Sequence, residues 1–172
     1  ALGVQIIRGG DPLQAGRGYG RVAEGAIEAL AAGTIAEFEL THGRVPGGEM
    51  LILALGRMGG GVLTHASDLD LVYLFTGDFQ VESDGPRPLG ATQYFNRLAQ
   101  RITNALSVQT AAGPLYEVDT RLRPSGAQGL LAVSLDSFAK YQREDAWTWE
   151  HLALTRARVI FGSPQGRAAL DT

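Results

Sequence analysis

With 172 residues the chain is long enough for one domain with a substantial core, and 45% apolar against 19% charged residues is ordinary globular composition. Fifteen Lys and Arg against 18 Asp and Glu give a formal charge of -3, which argues against broad electrostatic wrapping of nucleic acid or of an anionic membrane and leaves room only for a local basic patch. Without cysteine there is no disulfide or thiolate chemistry. No apolar run approaches the roughly 18 residues of a membrane span and no signal peptide opens the chain, so a cytoplasmic location is the default.

The chain opens at Ala1 rather than methionine and stops at Thr172, soon after a helix start at "SPQGRAALDT", so it is expected to be a fragment of a longer protein. "RGGDPLQAGRGYG" (8 to 20) is glycine-rich and reads as a loop, which makes residues 1–20 a linker and 21–172 the main domain, truncated at its C-terminal end. "RVAEGAIEALAAGTIAEFELTHG" (21 to 43) has helical apolar spacing, with an interruption expected around Gly33. "MLILAL" (50 to 55) and "DLVYLF" (70 to 75) are continuous apolar runs, hence strands buried on both faces. An acidic loop over 76–90 leads to an amphipathic helix over 91–109, with Phe95, Leu98, Ile102 and Leu106 on one face. "PLYEVDTRLRP" (114 to 124) alternates as a one-sided strand, and 135–145 and 146–162 read as helices. Trp147 and Trp149, on an Ala/Leu-rich segment, are expected in the core rather than in a base-stacking site. The fold class is α+β, a mixed sheet with helices packed on it.

"HASDLDLVYLF" puts two aspartates at the head of a buried strand. Side chains alternate along a strand, so Asp68 and Asp70 point the same way while Leu69 and Leu71 enter the core. Carboxylates that close repel unless a cation lies between them or one is protonated. Magnesium suits them, since it takes a few carboxylate oxygens and completes its shell with water and phosphate. The bland alternative is a solvated strand end. In "YEVDTRLRP", Glu117, Asp119, Arg121 and Arg123 share the polar face, so this strand laid beside the first would bring Asp119 to the same rim. Three acids can hold two metal ions for in-line phosphoryl displacement. The alternative for Asp119 is an ion pair with Arg121. Between the first strand and the acids lies "GRMGGGVLTHAS", whose glycines permit either an anion-binding nest or a plain tight turn.

A glycine pair, a spacer, Ser-Asp-x-Asp on a strand and a third Asp on a later strand resemble the nucleotidyltransferase superfamily that includes polymerase β-like enzymes. "ALGRMGGGVLTHASDLDLVYLF", "YEVDTRLRPSGAQGLL" and "YQREDAWTWEHLALTRARVIFG" are similar to the glutamine synthetase adenylyltransferase family, over about residues 21 to 170 and in the form of its C-terminal, AMP-attaching domain. The family's usual G-K-L-G-G is here Gly56-Arg57-Met58-Gly59-Gly60, which keeps a cation with a different geometry.

The resemblance implies transfer of AMP from ATP to a tyrosine hydroxyl of glutamine synthetase, with release of pyrophosphate. It also implies Mg²⁺ ligation by Asp68, Asp70 and Asp119, with Asp119 assisting deprotonation of the tyrosine. Gly59, Gly60 and Ser67 are then expected at the triphosphate, with Arg121 and Arg123 steadying its charge. Glutamine synthetase is the implied partner, and a PII signalling protein would act through parts of the full-length enzyme outside this segment. Two other readings stay open: the phosphorolytic, AMP-removing domain of the same enzyme, and a non-catalytic nucleotide-binding module.

Overall fold

The computed structural model describes residues 11–111 and 113–170. Its first helix, α1 (Pro12–His42), begins with Asp11 accepting a hydrogen bond from the Leu13 amide at 2.9 Å and with proline in the first turn. It runs unbroken past Gly33 and ends at Gly43, whose φ of 69° suits a helix stop. The loop expected over residues 8–20 is therefore helical from Pro12, and a domain boundary at residue 20 would fall inside α1. The part of the expected linker over 1–10 lies outside the described residues. What looked like chain breakers are the contact face of the helix. Gly16, Gly18 and Gly20 are buried, and the Gly16 carbonyl accepts from the Leu63 amide at 3.0 Å.

Strand β1 (Met50–Ala54) is followed by a single helical turn, α2 (Gly56–Gly59), and by β2 (Leu69–Phe75). The two strands pair antiparallel from Met50↔Phe75 to Ala54↔Leu71 and are buried on both faces, as their unbroken apolar runs require. Helix α3 (Ala91–Leu106) buries Tyr94, Phe95, Leu98, Ile102 and Leu106, and Phe95 stacks on Phe75 at 4.6 Å. A small hairpin, β3 (Gln109–Thr110) and β4 (Gly113–Pro114), leads to β5 (Val118–Asp119). After a 3₁₀ turn at Gly126–Gln128 come β6 (Ala132–Ser134), α4 (Leu135–Glu144), α5 (Thr148–Leu154), β7 (Arg158–Phe161) and α6 (Pro164–Leu170).

The main sheet has β1 between β7 and β2, and β2 is flanked on its far side by β5 at its start and by β6 at its end. Both flanking strands run parallel to β2, so the sheet is mixed. Helices α1 and α3 cover the face bearing Leu69, Leu71, Tyr73 and Phe75. Phe138 of α4 lies with Leu51, Leu53, Val72 and Leu74 on the other face, the face of Asp70.

Three further expectations need correction. The alternating segment 114–124 is not one strand: Pro114 belongs to the β3–β4 hairpin, only Val118–Asp119 pairs with β2, and the following residues turn away toward the 3₁₀ turn. The segment 146–162 is not one helix: α5 ends at Leu154 and Arg158–Phe161 joins the sheet as a β-branched, aromatic edge. Trp147 and Trp149 are exposed, at 70% and 56%, rather than in the core. No helix among the described residues is long and apolar enough to cross a membrane.

Candidate active site

Register builds the site. Leu69 pairs with Val118 and Asp70 with Asp119, so the parallel pairing of β2 and β5 seats two carboxylates side by side on one face. The Leu69 amide donates to the Glu117 carbonyl at 2.8 Å, and the Leu55 amide to the Asp70 carbonyl at 2.9 Å, which pins the end of β1 against the same point. Asp68 precedes the strand and is exposed. Gly56, with φ 53°, abuts the Asp70 carboxylate so closely that a side chain at residue 56 would collide with it.

The electrostatics divide the acids. Burial pushes the Asp70 carboxyl above its ordinary range, and the charges of Asp119 and Asp68 push it further, against the opposing pull of Arg121 and Arg57. Asp119 is held below its ordinary range chiefly by hydrogen bonds from the Arg121 side chain. Arg121 Nε reaches both Asp119 oxygens, at 3.0 and 2.9 Å, and its backbone amide donates to Oδ1 at 2.8 Å. The ion pair weighed as the alternative for Asp119 is thus present, and it sits beside Asp70 rather than apart from it.

Gly56, Arg57, Ala66, Ser67, Asp68 and Asp70 line a hollow of about 330 Å³. Beyond Ser67 and Asp68 opens a second hollow of about 430 Å³ with Tyr19, Leu63, Leu115 and Tyr116 among its walls. Ser67 Oγ accepts from the Thr64 amide at 2.9 Å, fixing the loop that carries it. The glycines behave differently from a phosphate nest. The Gly59, Gly60 and Gly61 amides donate to the carbonyls of Leu55, Gly56 and Met58, so they are engaged within the turn. Gly59 instead permits close packing against the Arg156 carbonyl. Arg123 is also engaged elsewhere, donating to the carbonyls of Thr120 and Gly129 and bracing the loop after β5.

Arg57 and Gly56 line the hollow with the acids, whereas the sequence marked them only as the family's glycine–cation turn and not among the site residues. Their signal was position: the residues directly after a buried strand whose end is bonded to Asp70.

Among the described residues no three acidic, histidine or cysteine side chains, Asp68, Asp70 and Asp119 included, are gathered closely enough to hold a metal ion by themselves. The donor set of carboxylates alone, with Asp70 raised by burial and by its acidic neighbours, fits a hard cation held in an open site and completed by phosphate and water. A tetrahedral nitrogen or sulfur cage would need other ligands.

A mixed sheet flanked by helices, with an Asp-Leu-Asp rim and a third aspartate in register beside it, defines a nucleotidyltransferase-type domain. The model of the glutamate-ammonia ligase adenylyltransferase family matches residues 17–172, and the chain belongs to that family. Curated relatives bearing the name bifunctional glutamine synthetase adenylyltransferase/adenylyl-removing enzyme include those of Mesorhizobium japonicum, 47% identical over 163 residues, and Xanthobacter autotrophicus, 50% identical over 167 residues. A Bradyrhizobium relative of the same name is 46% identical over 172 residues. These matches cover 94%, 95% and 99% of this chain but only 16%, 17% and 17% of the relatives, so the chain spans about a sixth of their length.

Proposed function

We propose that this chain is a catalytic domain that transfers AMP from ATP to a tyrosine hydroxyl of glutamine synthetase and releases pyrophosphate. The observation that carries the reading is the register of β2 and β5, which brings Asp119 beside Asp70 at a rim already holding Asp68 and facing Arg57. In this reading Asp68, Asp70 and Asp119 hold Mg²⁺, which when bound supplies charge neutralisation on the phosphate oxygens.

The chain's own groups do the rest. Arg57 and Ser67 line the polar hollow and contact the phosphates, while Gly56 lets the turn pack close to the rim and Gly59 lets it pack against the Arg156 carbonyl. The larger hollow with Tyr19 and Tyr116 on its walls is the space left for the second reactant. A phenol of pKa about 10 needs a base. Asp119 is a weak one while Arg121 holds it, so a shift of Arg121 toward phosphate charge raises its basicity when substrate is bound. The new bond joins the phenol oxygen to the α-phosphorus, the bond to the bridging oxygen breaks, and the phenol proton passes by way of Asp119 to solvent.

The relatives' name also covers AMP removal, and the same rim could serve phosphorolysis. Incubation with α-labelled ATP, Mg²⁺ and unmodified glutamine synthetase separates the two. The proposal expects label on the target and free pyrophosphate. If the unmodified target takes no label, and target already carrying labelled AMP releases labelled ADP on addition of phosphate, the domain is the removing one. A PII signalling protein, as partner of the longer enzyme, belongs to the same proposal.

A further inference from the structure

The proposed chemistry leaves "TRARVIFG", at the start of β7, without a role. Arg158, its first strand residue, reaches back to the end of α2. Its Nε donates to the Gly59 carbonyl at 3.3 Å and an Nη to that of Met58 at 3.5 Å. A cation there meets the carbonyl end of the helical turn, the end that favours positive charge. The rest of the guanidinium pairs with Glu24 of α1, one of the contacts measuring 3.2 Å. Three elements that are 134 and 99 residues apart in the chain are thereby joined at one group.

Stability alone does not explain the arrangement. The Arg158 and Glu24 side chains are 43% and 31% exposed, and ion pairs that open to water stabilise a fold weakly. What the pair does hold is direction. Helix α2 is four residues long, starts on Gly56 at φ 53° and is followed two residues past its end by Gly61 at φ 70°, so the buried Met58 anchors it at one point without the length to fix its axis. Arg57 projects from that turn, and its aim toward the acids depends on the angle of α2.

We propose that the Glu24–Arg158 pair is a positioning device for Arg57, holding α2 at the angle at which Arg57 meets the phosphates of a nucleotide at the Asp68–Asp70 rim. The proposal rests on the nucleotidyltransferase reading of that rim. Neither residue touches the nucleotide; both act through Arg57.

The test is MgATP binding to the full chain by calorimetry, with thermal unfolding followed in parallel. Arg158→Gln should weaken MgATP about tenfold, the scale of losing an outer-shell partner. Arg158→Lys, which keeps the charge but cannot bridge carbonyls and carboxylate together, should fall between. A residue acting through Arg57 has a distinct signature: the Arg57→Gln/Arg158→Gln double variant should bind no more weakly than Arg57→Gln alone. An unchanged affinity in Arg158→Gln, even with lower thermal stability, would make the pair merely structural and overturn the proposal, as would additive losses in the double variant. Glu24→Gln supplies the second route should Arg158→Gln fail to fold; a severalfold loss supports the proposal and no loss overturns it. If the wild-type chain itself does not bind MgATP, the nucleotidyltransferase reading falls, and the positioning role falls with it.

Discussion

Asp70 and Asp119 are the same residue type one strand apart, yet burial and two neighbouring carboxylates raise the first while Arg121 lowers the second. Opposed shifts in adjacent acids are characteristic of functional sites. Asp70→Asn should reduce AMP transfer on the order of 10²-fold or more, the scale of removing one preorganised electrostatic group. The same change should leave the metal-free protein as stable or more so. Because Asp70 is partly exposed, the gain is limited to about 1 kcal/mol, roughly 2 to 4 °C in Tm. The pH dependence has a definite sign. A raised carboxyl makes the folded state bind more protons than the unfolded one, so wild-type stability falls as pH rises from the ordinary value of 3.8 through the raised value of Asp70. The advantage of Asp70→Asn should be full above that window and absent below it, as thermal melts across pH would show. The paired acids of the rim were readable from alternation alone. The cation at Arg57 was visible as a motif, but its place beside Asp70 was not, because only the bond from Leu55 to Asp70 sets the end of β1 against the acids.

Helix α1 shows how an element can be hidden by its own contact surface. Gly16, Gly18 and Gly20 carry the composition of a loop, and no local periodicity separates a flexible stretch from a helix face designed for close approach. The partner makes the difference: a Cβ at Gly20 would stand 2.6 Å from the Gly61 carbonyl oxygen. Gly33 is exposed with nothing within 4 Å of such a Cβ. Two alanine substitutions in one helix should therefore have opposite signs. Gly20→Ala should destabilise by about 1 to 3 kcal/mol, as overpacking against backbone does. Gly33→Ala should stabilise by about 0.5 to 1 kcal/mol through helix propensity and unfolded-state entropy. Chemical denaturation of both variants checks the pair. Strands β1 and β2 and helix α3 were legible because their burial is written in runs and periods. Strand β7 was not, since "RVIF" follows a helical pattern without a breaker and is drawn into the sheet only by pairing with β1.

At the scale of the whole molecule, the sheet brings distant segments to one rim: β1 ends there, β2 begins there, and β5 supplies Asp119 from outside. The two layers of helices are unequal. Helices α1 and α3 cover one face over a large core, whereas the face of Asp70 is closed by a smaller group around Phe138, so the acids lie where the sheet is thinly covered. Such a rim is open by construction. It offers carboxylates but no complete cage, and its account requires nucleotide phosphate to finish the cation's shell. The measurement that tests this most directly is a calorimetric Mg²⁺ titration of the full chain with and without a non-hydrolysable ATP analogue, repeated on Asp70→Asn. Mg²⁺ should bind weakly to the free protein and at least about tenfold tighter with the analogue present, and Asp70→Asn should lose that gain. Tight Mg²⁺ binding that is indifferent to nucleotide, or an undiminished gain in Asp70→Asn, would contradict this requirement.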